Sequence, residues 1–446
     1  MGKYFGTDGI RGVANDTLTT ETAFKVGRFL GDYCKKNGKG KVCIGKDTRI
    51  SSSMFENVLA GGLAASGCSA YLIGYCSTPC LAYVAEHDEF DLGIMISASH
   101  NPYYDNGIKV FSNTGLKIGE ELESKVEDYI DDKVSVDKAT KENVGHIWEY
   151  KEGLKHYTDW IEKLYPTKLD RFKVLVDCAN GSNSYIAYQV LTDLGCNVTT
   201  INCNPSGINI NKDCGSTHLE MLQQEIKKDN YDFGFAFDGD ADRVLFVDKD
   251  GEVVDGDMIM YILSIYLKRH DKLKDDTLVT TVMSNIGLYK SLAKQNIKLK
   301  TTPVGDKNVL DEMIKNNYSV GGEQSGHIIL LEDSKFGDGL KTALCLMNAI
   351  TESNKTLSDL KREITIYPQL LENLKVKDKN IVLNDEEINK AIKEVEEDLK
   401  GDGRILVRPS GTEPLIRVMV EAKTEDICKE NVFKIIDLIK KKGYQQ

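Results

Sequence analysis

The sequence has no CxxC pair, no excess of basic charge and no apolar run approaching the ~20 residues that span a bilayer. Each absence removes a class of protein. The eleven cysteines are scattered and odd in number. Cys76 and Cys80 are the nearest two, and no paired histidines complete a zinc set. They read as reduced thiols used as small apolar side chains. A formal net charge of -12 argues against a nucleic-acid or membrane-surface partner. It still admits an anionic small substrate, because a cleft can be locally basic. The opening residues MGKYFGTDGIRG hold no apolar signal region, so a cytoplasmic protein is expected. GxGxxG, GxxxxGK[ST] and GxSxG are also absent. Dinucleotide and P-loop sites and the α/β-hydrolase elbow are therefore unsupported.

At 446 residues the chain exceeds one ordinary core. Short apolar runs, KVCIGKDTR (41–49), FKVLVDCANGS (172–182) and LVTTVMSNIG (278–287), end in turn-forming residues before helical spacing begins. After the first, Ser53 and Glu56 fit a capping box that opens a helix through Leu63. Strand, loop and helix in repetition predict α/β layers with mostly parallel or mixed sheets. A second repeat aligns FDLGIMISASHN (90–101), YDFGFAFDGDAD (231–242) and YSVGGEQSGH (318–327), with Gly93, Gly234 and Gly321 in register. Three related α/β units would each deliver one loop from a strand end, where α/β folds place ligands.

The tail differs. Ile388, Ala391, Ile392, Val395 and Leu399 mark one helix face, RILVRPSG and EPLIRVMVEA two strands, and Val432, Ile435, Ile436 and Ile439 a last helix. The expected architecture is three related α/β mixed-sheet domains, 1–150, 151–252 and 253–366, plus a smaller α+β domain, 367–446, around a central cleft. A hinge is expected near Tyr367 and Pro368.

Several loops carry chemistry. In FDGDADR, Asp238, Asp240 and Asp242 crowd three carboxylates that repel unless a cation sits among them. Oxygen ligands suit a hard ion such as Mg²⁺. The EF-hand pattern fails at Arg243 and Lys249, where Gly and Glu are required; the alternative is an Asp-rich surface turn. In RPSGTEP, Arg408 with Ser410, Gly411 and Thr412 reads as a phosphate cradle, with Arg417 as a second fork, or as a plain β-turn. In GEQSGH, Glu323 and Ser325 suit sugar hydroxyls, or cap a polar hairpin; His327 alone reads as a structural hydrogen bonder. FGTDGIRG exposes Arg11, and DNGIK places Lys109 ten residues after Ser99; a flexible terminus and a solvated lysine are the plain readings.

ISASHNP (96–102) ends an apolar strand in two serines, a histidine, an asparagine and a proline. The motifs TDGIRG, SASHNP, DGDADR, GEQSGH and RPSGTEP, in this order across essentially the whole chain, resemble the α-D-phosphohexomutase superfamily. KYFGTDGIRG, SASHNPYYDNGIK, CGSTHLE and RPSGTEPLIRVMVEA resemble its amino-sugar branch most. One position departs slightly: Ala241 stands where glycine is common.

The resemblance implies an isomerase that moves phosphate between C6 and C1 of a hexose. Ser99 would carry a covalent phosphoryl group; the sequence alone does not choose it over Ser97. Asp238, Asp240, Asp242 and the Ser99 phosphate would hold Mg²⁺. A sugar 1,6-bisphosphate would form and turn over in place. Arg11, Lys109 and Arg243 would stabilise the transferring group, Glu323 and Ser325 would grip ring hydroxyls, and the cradle would hold the other phosphate. Lys109, then His100, then His327 are the candidates for acid/base work. A homodimer is expected by resemblance only. The alternatives are a member acting on glucose or mannose phosphates, a silent phosphosugar-binding protein, and a metal-dependent phosphatase.

Overall fold

The strand Leu92–Ile96 has all five residues buried, as expected of a strand covered on both faces. It lies inside a seven-stranded sheet ordered Phe5–Gly6, Gly9–Val13, Asp105–Ser112, Leu92–Ile96, Lys41–Lys46, Ser69–Tyr75 and Ile147–Glu149. A five-stranded sheet follows, ordered Val253–Val254, Val244–Asp248, Phe233–Phe237, Lys173–Asp177 and Asn197–Ile201. A four-stranded sheet is ordered Lys298–Thr302, Thr277–Thr281, Val320–Gly322 and Ile328–Leu330. The computed structural model describes residues 2–410 and 414–446. It divides into a larger unit, residues 1–283 and 297–362, and a smaller one, residues 284–296 and 363–446. The three sheets belong to the larger unit.

The internal repeat is real in three dimensions. Gly93, Gly234 and Gly321 each occupy the second position of their strand. Each strand runs parallel to one neighbour, pairing Gly93 with Cys43, Gly234 with Leu175 and Gly321 with Val279. Each also pairs antiparallel with the strand that follows it, against Phe111, Val247 and Ile329. The shared glycine has a packing reason. A Cβ there would sit 2.9 Å from Ala85 Cβ, 2.9 Å from Leu222 Cδ1 or 2.5 Å from Met313 Sδ. Those side chains lie on the covering helices Thr78–His87, Glu220–Glu225 and Asp306–Asn316. Close helix–sheet approach therefore excludes a side chain in all three units.

The capping box expected at Ser53 and Glu56 is not formed. The helix spans Ser52–Ala65 from an N-cap at Ser51 that makes no side-chain cap bond. The nearly buried Lys46 ammonium takes both side chains instead, donating to Ser53 Oγ at 3.1 Å and pairing with Glu56. A buried cation outcompetes a backbone N–H for a carboxylate.

In the smaller unit, Gln369–Lys375, Leu415–Glu421 and Arg404–Pro409 form an antiparallel sheet with Leu415–Glu421 central. The helices Glu386–Leu399 and Glu425–Lys441 cover it. The first buries Ile388, Ala391, Val395 and Leu399, and the second Val432, Ile435, Ile436 and Ile439. Sequence periodicity reads both faces, although Ile392 is only partly buried. This unit also takes the helix Ile286–Lys294, far away in sequence. Ile286 N–H donates to Glu421 Oε2 at 2.8 Å, and Asn285 exchanges two hydrogen bonds with the Tyr367 backbone. Tyr367, expected at a hinge, is thus tied firmly within the unit; the chain passes between units at Arg362 and Glu363.

Candidate active site

Ser97 and Ser99 follow directly from the strand Leu92–Ile96. Both are buried, and Ser99 has a left-handed φ of 52°. The hydroxyls differ in direction. Ser97 Oγ donates to Asp47 Oδ2 at 2.7 Å and accepts from the Ser99 amide at 2.9 Å. Ser99 Oγ donates to Asp238 Oδ2 at 2.6 Å. Only Ser99 faces the acidic loop.

That loop leaves the strand Phe233–Phe237. Carboxylate oxygens of Asp238, Asp240 and Asp242 lie within 4.8 Å of one another, and all three residues are buried. Burial and the two neighbouring carboxylates push the Asp238 pKa well up. Asp240 Oδ1 and Asp242 Oδ1 accept no hydrogen bond from the described residues. A crowded, buried, under-partnered set of hard oxygens fits a divalent cation. Ala241, between two of the aspartates, holds a left-handed φ of 57°.

Basic groups surround the cluster. Lys109, on the strand Asp105–Ser112, is fully buried, with Nζ 2.8 Å from Asp240 Oδ2, 3.0 Å from Asp8 Oδ2 and 3.8 Å from Asp242 Oδ2. Burial works against its ammonium, but Asp240, Asp8 and Asp242 more than offset this and raise its pKa. Arg11 pairs with Asp8 and keeps Nε without a partner. His100 Nδ1 lies 3.4 Å from Ser99 Oγ and 3.2 Å from Arg243 Nη1. Burial, then the charges of Arg243 and Arg11, push its pKa down to about 4. Arg243 donates its amide to Asp238 Oδ1 at 3.2 Å, and its Nε, with no hydrogen bond among the described residues, lies 3.8 Å from Asp242 Oδ1.

The third loop joins the second through an isolated bridge between Arg243 and His327. Gly326, at a φ of 91°, sits so close that a Cβ would lie 2.3 Å from the Val244 carbonyl. Buried His327 places Nδ1 3.7 Å from Asp242 Oδ2. Burial disfavours its charge, yet Asp242 raises its pKa overall. Glu323 is half-buried and accepts from the Gly305 amide at 3.2 Å; Ser325 is exposed on the turn.

Three residues of this network escape sequence reasoning. Asp8 accepts from Arg11 and lies 2.7 Å from Lys117 Nζ, which is also 2.7 Å from Asp306 Oδ2. Asp8 stands inside TDGIRG, and that motif is the signal that could have singled it out; Lys117 and Asp306 carry no local signal.

In the smaller unit, Arg408 and Arg417 stand directly opposite each other on paired antiparallel strands. Neither guanidinium has a carboxylate partner among the described residues, and the Nε atoms of both are unpartnered. Burial and the facing Arg417 charge lower the Arg408 pKa. Buried Ser410 accepts at its carbonyl from Lys379 Nζ at 2.7 Å. Gly411 and Thr412 lie outside the described residues. Facing, unneutralised guanidiniums are the makings of an anion site.

This fold and these loops are those of a phosphohexomutase. Four family descriptions match in series: phosphoglucomutase/phosphomannomutase alpha/beta/alpha domains I, II and III over residues 2–136, 149–251 and 255–367, and the C-terminal domain over residues 371–437. The chain belongs to the phosphoglucomutase/phosphomannomutase family of α-D-phosphohexomutases, which are isomerases. Among curated relatives, the phosphoglucosamine mutase of Lachnospira eligens is 50% identical over 448 residues, covering 100% of both chains. Likeness of that extent places the chain with the phosphoglucosamine mutases. Among solved structures, a phosphoglucomutase/phosphomannomutase family protein from Burkholderia thailandensis superposes with a TM-score of 0.81 at 22% identity, covering 99% of this chain and 98% of its own. N-acetylphosphoglucosamine mutase from Aspergillus fumigatus, in complex with GlcNAc-6P and magnesium, gives 0.71 at 16% identity, covering 99% and 96%. Among the described residues, no helix is long and apolar enough to cross a membrane.

Proposed function

We propose that the protein interconverts glucosamine 6-phosphate and glucosamine 1-phosphate through a phosphorylated Ser99 and a sugar 1,6-bisphosphate, feeding amino-sugar nucleotide synthesis. The observation that carries this reading is the Ser99 hydroxyl, 2.6 Å from Asp238 within a buried three-carboxylate cluster ringed by basic side chains. Asp238, Asp240, Asp242 and a Ser99 phosphate would hold Mg²⁺, which when bound would neutralise phosphoryl charge and polarise phosphorus. The magnesium in the Aspergillus fumigatus relative supports that choice of ion.

The anomeric hydroxyl of the 6-phosphate attacks phosphorus on Ser99. The new C1–O–P bond forms as the Oγ–P bond breaks. The hydroxyl proton passes to half-buried, neutral His100 rather than to Lys109, whose three carboxylate neighbours hold it as an ammonium with no lone pair to accept it. Arg11, Lys109 and Arg243 stabilise charge on the moving group. The bisphosphate then turns over without leaving. Arg408, Arg417, Ser410, Gly411 and Thr412 hold the phosphate that is not reacting, in either orientation. Glu323 and Ser325 hold ring hydroxyls. His327, bound at Asp242, supports the metal loop. Ser99 Oγ then attacks the 6-phosphoryl group, the P–O6 bond breaks as O6 takes back the proton given up in the first transfer, and the sugar 1-phosphate is released.

A ³¹P NMR time course tests this. Protein, Mg²⁺ and a trace of sugar 1,6-bisphosphate meet equal glucosamine 6-phosphate and glucose 6-phosphate. Glucosamine 1-phosphate is expected to grow in much faster. Dominant glucose 1-phosphate would overturn the substrate, and inorganic phosphate alone would overturn the mutase reading. Ser99→Ala is expected to abolish turnover with the fold intact; near-normal activity would sink the phosphoserine assignment.

A further inference from the structure

Ser99 holds a backbone conformation that an L side chain keeps only when its surroundings impose it. Those surroundings are specific. The Arg49 side chain has no exposed surface, and its charge is balanced by one equally buried carboxylate, Asp47, with Nε 2.8 Å from Oδ2. Burying such a pair brings little net stability, so its value lies in what it holds. Both terminal nitrogens of Arg49 reach carbonyls of the serine loop. Nη2 donates to Ser99 O at 2.8 Å and Asn101 O at 2.9 Å, and Nη1 donates to Pro102 O. Asp47 holds the other side of the same residue. Its Oδ2 accepts from Ser97 Oγ, which accepts the Ser99 amide, and its Oδ1 accepts from Ser52 Oγ at 2.8 Å.

A second clamp comes from the loop that follows the strand Asn197–Ile201 of the neighbouring sheet. Asn211 Nδ2 donates to the same two carbonyls, Ser99 O at 2.8 Å and Asn101 O at 3.1 Å. Asn211 is itself fixed at a φ of 58°, with its amide on Ala179 O at 2.9 Å. The metal loop closes over this junction. A Cβ on Gly239 would lie 2.6 Å from Ser99 O and 2.8 Å from Asn211 Nδ2. Ser99 O is thus fixed from the first sheet by Arg49, from the second by Asn211, and from above by Gly239.

We infer that Asp47, Arg49 and Asn211 are positioning residues that aim the Ser99 hydroxyl at the carboxylate cluster. None of them touches the reacting atoms. The inference rests on Ser99 as phosphoryl carrier. Misaiming a nucleophile by about 1 Å can cost on the order of 100-fold in rate without changing what else the site binds.

Asn211→Ala removes two donors without stranding a charge, and Ser97→Ala is a second route that unlinks Asp47 from the Ser99 amide. Ser66→Ala, which removes a 2.7 Å hydrogen bond to Arg28 O in the first sheet's domain, controls for stability alone. The expected result for both loop variants is a fall in kcat of about 10- to 100-fold with KM nearly unchanged. Loading of Ser99 from a sugar 1,6-bisphosphate, followed by intact mass, should slow by the same factor. Ser66→Ala should load and turn over normally. Wild-type loading and kcat in folded Asn211→Ala and Ser97→Ala would overturn the clamp, as would an equal loss in Ser66→Ala. A parallel Ser99→Ala sample separates the premises. If it is inactive while the loop variants behave as wild type, only the clamp falls; if it is active, the carrier reading falls first and takes the clamp with it.

Discussion

Replacing Arg417 with glutamine should make the protein more stable and its substrate binding worse. Arg408 and Arg417 face each other across an antiparallel pair, where opposed Cβ atoms lie about 4.5–5.5 Å apart. With guanidiniums about 6 Å apart, repulsion is about 0.7 kcal/mol at the dielectric of water and about 3 kcal/mol at an effective dielectric of ~20. Both side chains are half-buried. Solvent screening therefore puts the cost near the lower end, about 1 kcal/mol. Relief of about 1 kcal/mol should raise the midpoint by roughly 4–8 °C if the smaller unit melts separately as a domain of about 100 residues. A bound phosphate reverses the sign, because each guanidinium then makes charge-assisted hydrogen bonds worth about 1.5–3 kcal/mol. Losing one should raise the apparent KM for the sugar phosphate by about 10- to 100-fold. The assay is thermal denaturation in low-salt, phosphate-free buffer, repeated with inorganic phosphate. Wild type should gain stability from phosphate, and Arg417→Gln should start higher and gain much less. A variant that is no more stable, that responds to phosphate like wild type, and that keeps its KM would refute the reasoning.

Asp240→Asn removes one carboxylate from the buried triad and one partner from Lys109. Its Mg²⁺ requirement for turnover should rise by more than the ~10–100-fold typical of losing an outer-shell partner; an unchanged Mg²⁺ titration would remove the metal reading. Gly239→Ala pushes a Cβ against Ser99 O and Asn211 Nδ2, so kcat should drop with the bulk fold retained, as circular dichroism and kinetics would reveal; wild-type kcat would show that this junction yields freely. In unphosphorylated protein, His100 should stay neutral far below the usual histidine range, with an NMR midpoint near 4. Because the unfolded chain binds that proton near pH 6.5 and the folded chain does not, His100 favours folding above pH 6.5 and loses this contribution as pH falls towards 4. A midpoint near 6.5 would contradict its burial beside Arg243.

The acidic triad and the pair Ser97 and Ser99 stand out in the sequence because each is a short run of chemistry at the end of an apolar strand, although nothing local separates the two serines; Arg11 and Lys109 lie inside strands. Such runs survive in sequence as local contrast. Asp8, Lys117 and Asp306 were not read as a set, since their partnership spans 189 residues between Lys117 and Asp306. An isolated lysine or aspartate looks solvated until the fold brings its counter-charge. The capping box failed for a related reason. Ser53 and Glu56 have the right spacing, but Lys46, ten residues before Glu56, claims both. Spacing rules describe what a segment does alone, and a buried charge overrides them.

The repeated glycine separates fold from function. Gly93, Gly234 and Gly321 share a strand position because three covering helices each need a strand without a side chain there. From that point the three chains diverge at once, into SASHNP, DGDADR and GEQSGH. The packing requirement acts one pleat inside the sheet, where every unit must solve the same problem. The loop requirement acts past the strand's end, where packing constrains only single positions such as Gly239 and Gly326 and leaves the polar side chains to differ. Three copies of one scaffold can therefore end in three chemically different loops without disturbing one another's cores. The Arg49 and Asn211 contacts on Ser99 are where that independence stops: there the first loop depends on residues of its own sheet and of the next.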